Sequence, residues 1–380
     1  MKMKKSLFCF LCIVLFSCKA GDSQYLKTCV IDNDTIYTCD ITEIPESEKT
    51  IMLSELIDSF QIVHFENTDT ALFKTWKVYI TDQHIGILQH GSYPFKLFNH
   101  SGTFVCDVGS IGQAHGEYTG LYSGCINEKD SSIWLAPFYG NQLMKYDMNG
   151  KCVLSLKTRQ MRKPIIRHEL DNTLSLANLF FKDVPGFLYL RVLKDNSLCY
   201  IDSEKEYAFN AYDKEGSFTG FNNELWFYNN TSLFTYMTTL NYQLFNFDTN
   251  TNKTRVRLSV IPPTNREQII ILDELPMFFI INMYGEKRQI ILADKKTSET
   301  YYVKIQNDFL ADLPVYNFSP SNGWYYEMFE PIELIDLINQ HLMNNNPDEE
   351  KKDRLEKFLS EIEEEGNNIL FMGKLKLSIK

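Results

Sequence analysis

A strand–turn–strand pattern that returns along the chain constrains its fold more than any other feature. Residues 95–106 read FKLFNHSGTFVC and residues 143–154 read LMKYDMNGKCVL. Laid over each other, Phe98 falls on Tyr146, Asn99 on Asp147 and Gly102 on Gly150. Weaker echoes follow at FNAYDKEGSF (209–218), FNFDTNTNKT (245–254) and ILADKKTSET (291–300). Each is an apolar strand, a polar turn rich in Asp, Asn or Gly, and a second strand. A unit of this kind returning every few tens of residues is the signature of a β-propeller blade.

The period-two strands KVYIT, HIGILQ, PFKLFN and TFVCDV fill 76–108, with turns at Gly91-Ser92 and Ser101-Gly102. Further sets are expected over 123–157, 175–212, 219–260 and 277–305. GWYYEMFE (323–330) reads as a strand. Pro331 then opens a helix to about Met343, and a second runs from Pro347 to about Glu365. Asn346 is the expected cap, and Asp348, Glu349 and Glu350 favour the positive helix end. Leu355, Phe358, Leu359 and Ile362 form one apolar stripe. ILFMGKLKLSI (369–379) returns to strand. The fold class expected is therefore all-β: a six-bladed antiparallel β-propeller with a C-terminal helical hairpin, about 331–365, inserted in the last blade. Phe60–Glu66 is expected to complete that blade from the other end of the chain and so hide an open edge. A seven-bladed ring, with 24–50 as a blade, is the alternative.

At the N-terminus, Lys2, Lys4 and Lys5 precede an apolar run, Ser6–Phe16, too short to span a bilayer. Leu15-Phe16-Ser17-Cys18 resembles the bacterial lipoprotein box. That resemblance implies a signal peptide over 1–17, lipidation of Cys18, and a membrane partnership through the N-terminal lipid. Residues 18–50 are polar and weakly patterned, a tether with a short leading strand. The propeller takes 51–380. Loss of 1–17 removes three lysines and moves the formal charge from −11 to −14. So acidic a surface disfavours nucleic acid. Cys29, Cys39, Cys106, Cys125, Cys152 and Cys199 remain, scattered and mostly in apolar runs, which reads as buried thiols. Cys29 and Cys39 are the pair to examine for a disulfide.

LSELIDSFQIVHFENTDTALF, WKVYITDQHIGIL and FKLFNHSGTFVCDVGSIGQAHGEY together resemble the opening of the six-bladed β-propeller lipoproteins of Gram-negative gut-type bacteria. The glycines of their G-x-x-G-x-G-P-G-E-Y segment match Gly109, Gly112 and Gly116, followed by Glu117 and Tyr118. Ala114 and His115 depart from it. The closing NNILFMGKLKL is also similar. The resemblance covers 51–380 and implies a fold and an envelope location, with the outer membrane favoured. It implies no activity.

Linear motifs for chemistry are weak. GSIGQAHGEY lies between strands, whereas a dinucleotide loop must open a helix. It reads as an inter-blade turn in which glycines supply positive φ. Asp147-Met148-Asn149-Gly150 and Asp32-Asn33-Asp34 begin like calcium loops but lack the later bidentate Glu. His64, His84, His90, His100, His115, His168 and His341 form no HxH or HExxH pair, and GxSxG is absent. No catalytic, metal or cofactor residue is therefore assigned. Trp76, Trp134, Trp226 and Trp324 lie near strand starts, where packing uses large aromatics. Tyr93, Tyr122, Phe138, Tyr139, Trp324, Tyr325 and Tyr326 fall near expected loops. Sharing one rim, they would suit a glycan or peptide. The function expected is an envelope-anchored binding module for a glycan, peptide or envelope partner, sited in the funnel of the channel. The alternative is a glycan hydrolase or lyase assembled across blades. Paired carboxylates or a His/Tyr/Arg cluster there would favour the enzyme, and aromatic or neutral polar walls would favour binding.

Overall fold

The computed structural model describes residues 25–31, 34–182, 184–201, 208–218, 223–239, 241–263, 269–285, 287–345 and 347–377. The signal peptide and Cys18 lie outside them. Six sheets form six blades. Blade one holds Thr75–Ile80, His84–Gln89, Phe95–Asn99 and Phe104–Val108. Blade two holds Leu121–Asn127, Ser132–Pro137, Tyr139–Asp147 and Cys152–Arg162. Blade three holds Ile165–His168, Leu174–Ala177, Tyr189–Val192 and Leu198–Ile201. Blade four holds Leu225–Trp226, Phe234–Thr238, Gln243–Asp248 and Lys253–Ile261. Blade five is built on Ile269–Glu274, Phe278–Tyr284, Gln289–Asp294 and Thr300–Asn307. Blade six takes Ser319–Ser321, Trp324–Phe329 and Ile369–Lys374. Its fourth strand is Gln61–His64, antiparallel to Ile369–Lys374 with Val63 opposite Leu370.

Apolar side chains pack between neighbouring blades. Phe98 and Leu370 meet between blades six and one, Tyr146 and Leu97 between one and two, and Leu143 and Leu176 between two and three. Tyr189 stacks on Phe247 between blades three and four, with centroids 3.8 Å apart. The core is thus a set of radial seams around a narrow axis.

The repeated turn has a specific task. Asn99 Oδ1 accepts from the Ser101 and Thr103 amides, and Asp147 Oδ1 accepts from the Asn149 and Lys151 amides. Each turn ends on a glycine at positive φ, 85° at Gly102 and 77° at Gly150. Each glycine presses on the preceding blade. A Cβ on Gly102 would lie 2.2 Å from the His64 carbonyl oxygen, and one on Gly150 would lie 2.2 Å from that of Asp107. The Asp147 turn is therefore an inter-blade clasp rather than a calcium loop.

Several local expectations need correction. Blade three begins at Ile165 rather than 175, and 209–218 lies beyond its last strand. There Tyr212 bridges Phe218. Blade five begins at Ile269 rather than 277. The leading segment carries three strands rather than one. Leu26–Ile31 and Asp34–Asp40 pair as a hairpin that adds, in parallel, to blade four. Lys49–Met52 adds in parallel to blade five. This segment covers the outer edges of a six-bladed ring and makes no seventh blade. Its polar outward faces hid the strands in the sequence. Cys29 and Cys39 face Ile36 and Leu26, at opposite ends of the hairpin, and all six cysteines described are free, but against expectation only Cys39 is buried and Cys199 is exposed.

Helix α1 spans Leu53–Leu56. In the chain between Trp324–Phe329 and Ile369–Lys374, which pair with each other, come α2 (Pro331–Asn345) and α3 (Glu349–Ser360). Asp348 caps α3 by accepting from the Lys351 amide, while Asn346 lies outside the described residues. Leu355 and Phe358 are buried against Phe329 and Phe371 of blade six, with Leu359 and Ile362 partly so. Glu361, Glu363, Glu364 and Glu365 are exposed.

Candidate functional site

The first strands of the blades converge on the axis and enclose a cavity of about 230 Å³. Its walls hold six aromatic residues, Trp76, Tyr79, Trp226, Phe227, Tyr228 and Tyr326. Ser123, Ser319, Ser321, Asn229 and Asn322 supply neutral polar groups. Among the described lining residues there is no Asp, Glu or His, and Lys77 alone carries a formal charge. Blades one, two, three, four and six contribute to the lining.

Both ends of this cavity are bridged. At the start of the inner strands, the Tyr122 hydroxyl of blade two crosses to blade four. It donates to Glu224 Oε2 at 2.5 Å and lies 3.1 Å from the Leu225 carbonyl. Glu224 also takes Lys163, at 2.5 Å, from the entry to blade three. Trp76 and Phe138 pack edge-on against the Tyr122 ring, with centroids 5.6 and 5.7 Å away. Burial, reinforced by the Glu224 carboxylate, pushes the Tyr122 hydroxyl far above its ordinary range, so it remains a donor.

At the other end, blade six reaches blade four in front of blade five. The Asn322 amide donates to the Tyr228 carbonyl at 2.8 Å. Asn229 Nδ2 donates to Asn322 Oδ1 at 3.0 Å, and the Gly323 amide to Asn230 Oδ1 at 2.9 Å. Asn229 and Asn322 adopt left-handed φ values of 56° and 52°, which asparagine tolerates better than most residues. Behind this bridge Asn230 donates to Asp273 Oδ2 at 2.5 Å. Burial pushes the Asp273 carboxyl up to about 8.

Lys77 runs from blade one toward blade two. Its Nζ donates to the Tyr122 carbonyl at 2.8 Å and sits 3.7 Å from the Tyr122 ring centroid and 4.5 Å from that of Trp76. Burial draws its amine down to about 7, against the pull of Glu224. Cys125 also lines the cavity, but burial pushes its thiol up to about 11. It is therefore no ready nucleophile.

The aromatics expected to share one rim do not. Tyr122 and Phe138 lie together, and Tyr326 lines the cavity. Tyr325 is buried against Phe318, while Tyr93 and Tyr139 are exposed elsewhere. Trp324 packs beside His100 and Lys374. Trp134 is buried between blades two and three. His84 pairs with Glu128, His168 with Asn127, and His341 with the Ala311 carbonyl. No metal-holding group of His, Cys, Asp or Glu occurs among the described residues. In GSIGQAHGEY, Ser110–Ile111 pairs with Glu117–Tyr118, Glu117 accepts from the Ala114 amide, and Tyr118 accepts from the Phe95 amide.

Sequence reading missed Lys77, Lys163, Glu224, Asn229 and Asn322. The signal available was a lysine inside the otherwise apolar inner strand TWKVYI. A second concavity, about 530 Å³, lies between blade five and the helical hairpin. Two of its cations are paired, Lys304 with Glu48 at 2.7 Å and Lys351 with Asp312 at 2.8 Å, while Arg288 donates to Asn317 and Tyr284.

Among solved structures, the chain is similar to a Bacteroides fragilis protein provisionally described as exported. The identity is 16%, covering 89% of this chain and 99% of that one, with a TM-score of 0.63. A Bacteroides vulgatus member of the DUF4221 family is 8% identical over 85% of this chain and 98% of its own, with a TM-score of 0.46. An auxiliary nutrient binding protein of Bacteroides thetaiotaomicron is 9% identical over 64% of each chain, with a TM-score of 0.37. The first of these likenesses supports the propeller fold. No curated protein matches. A family model described as a domain of unknown function (DUF4934) matches residues 36–374, so the chain belongs to the DUF4934 family.

Proposed function

We propose that the chain is an exported binding module, tethered through Cys18, whose ligand occupies the axial cavity. The observation that carries this reading is the lining: six aromatic residues, neutral polar groups and no carboxylate or imidazole among the described walls. Glycoside cleavage wants two carboxylates facing the ligand. Here the carboxylate of the bridge from blade two to blade four, Glu224, is engaged by Tyr122 and Lys163. The cavity falls below the usual range of about 300–1,000 Å³ for ligand pockets. It therefore suits a single ring, such as one sugar residue or a small aromatic metabolite, and not a polymer. The glycan or peptide reading narrows accordingly to a small component of either. The exported description of the Bacteroides fragilis protein and the Leu15–Cys18 segment support an envelope location, with the outer membrane favoured. The helices α2 and α3 serve as a structural insertion in the last blade.

The test is binding of neutral monosaccharides and small aromatics, read through Trp76 and Trp226 fluorescence in unaltered protein and in Trp226→Ala. Saturable changes lost in the variant support the cavity. Changes that persist in Trp226→Ala place the ligand elsewhere. For the tether, Cys18→Ala should release the protein to soluble fractions. Palmitate labelling that survives this substitution would refute the anchor.

A further inference from the structure

Lys77 is the single formal charge among the described residues that wall the axial cavity. Its Nζ has the Tyr122 carbonyl as a hydrogen-bond acceptor and two aromatic faces beneath it, and among the described residues it forms no ion pair. Lys163, close by, already has Glu224 at 2.5 Å. The contrast is informative, because the chain carries 49 acidic residues against 38 basic ones. Carboxylates are abundant, yet the one near Lys77, Glu224, pulls on it only from a distance and is in contact with Lys163 instead. An ammonium has three protons to donate, and a buried cation with no carboxylate in contact costs free energy until an anion joins it.

We infer that the axial cavity selects a small ring-bearing acid, whose carboxylate pairs with Lys77 while its ring lies against Trp76 and Trp226. This rests on the cavity being the binding site. The aromatic walls supply contact area for the ring, and the ammonium supplies a charge-assisted hydrogen bond to the carboxylate. Asn229 and Asn322, which each use one amide atom on the other, keep the second for hydroxyl groups on the ring. The net negative charge of the protein repels anions at long range, so the selectivity must come from Lys77 at short range. A carboxylated sugar and an aromatic acid present the same chemistry here.

The experiment uses matched pairs: D-glucuronate against D-glucose, and 4-hydroxybenzoate against 4-hydroxybenzamide. Binding is read from the indole N–H resonances of Trp76 and Trp226, with Trp134 and Trp324 as internal controls. In unaltered protein, at least one acid should bind tenfold or more tightly than its neutral partner. Lys77→Met should erase that difference, and Lys77→Arg should keep it. The comparison in unaltered protein stands even should Lys77→Met fold poorly. Equal binding of acid and neutral partner at Trp76 and Trp226 overturns this inference and leaves the cavity as the site. Failure of all four compounds to move either resonance overturns this inference, and the cavity reading falls with it if the neutral ligands of the previous test also fail.

Discussion

The Tyr122 hydroxyl lies 2.5 Å from Glu224 Oε2, joining blade two to blade four across the axis. It bridges the blades at one end of the inner strands while Asn322 bridges them at the other. Tyr122→Phe keeps the ring but leaves Glu224 Oε2 without this donor, while Lys163 stays on Oε1. Loss of a buried hydrogen bond of this kind costs about 1–3 kcal/mol, so the urea midpoint should fall. A ligand that enters past Tyr122 should also associate faster, because the hydrogen bond that fixes this ring to blade four is gone. Stopped-flow fluorescence checks this, and an unchanged association rate would show that entry does not pass Tyr122.

The clasp turns give a controlled comparison. Gly102 and Gly216 both have positive φ, 85° and 84°. A Cβ at Gly216 meets nothing within 4 Å, whereas one at Gly102 meets the His64 carbonyl at 2.2 Å. Gly216→Ala should cost the backbone penalty of about 1–2 kcal/mol. Gly102→Ala should cost about 1–3 kcal/mol more, because the neighbouring strand must move. Chemical denaturation of the two variants decides it, and equal losses would refute the clasp.

What the sequence made legible was local. The Asn99 and Asp147 turns are closed by their own side chains, so their chemistry shows within five residues. The need to close the ring pointed to Phe60–Glu66, because an unpaired edge is a general liability. The first strands of blades three and five were hidden. Ile165–His168 is four residues long and follows a proline, and Ile269–Glu274 follows Pro262-Pro263, a turn signal that went unused. The site was hidden for a different reason. Lys77, Tyr122 and Glu224 sit on three blades, and only the radial geometry brings them together. No spacing rule applies to residues whose meeting depends on the closure of the ring.

The helical hairpin should behave as packing. Leu355 is fully buried against blade six. Leu355→Ala should therefore cost about 2–5 kcal/mol and leave the affinity of the folded protein for its ligand unchanged. Calorimetric melting paired with titration checks both halves. Retained stability with lost binding would move the functional surface to the hairpin.

Two buried acids predict the pH dependence. Burial raises the Asp273 carboxyl to about 8 and the Glu327 carboxyl to about 7. In the unfolded chain both titrate near 4. Folding therefore favours their protonated forms. Their stabilising contribution is complete below about pH 4 and is lost as pH rises, through about 7 for Glu327 and about 8 for Asp273. Asp273→Asn keeps an acceptor for Asn230 and removes this loss. Its stability relative to the parent should rise between pH 5 and pH 8.5, measured by urea unfolding. A constant difference across that interval would contradict the assignment.

The strands Asp34–Asp40, Lys49–Met52 and Gln61–His64 attach in turn to blades four, five and six. Strands that come early in this sequence are thus stored on blades that come late in it. Gln61–His64 has no partner until Ile369–Lys374 exists, so the ring cannot close on a growing chain. Such long-range pairing is slow. The nascent protein must therefore pass through a long-lived open form, available to whatever machinery moves or guards it. Once closed, the order of attachment has a mechanical meaning. A pull at the N-terminus meets the hairpin on blade four first, then the strand on blade five, and only afterwards the seam that closes the ring. Traction on the segment ahead of Asp34 would be absorbed by these two outer attachments before it reached the seam that closes the ring.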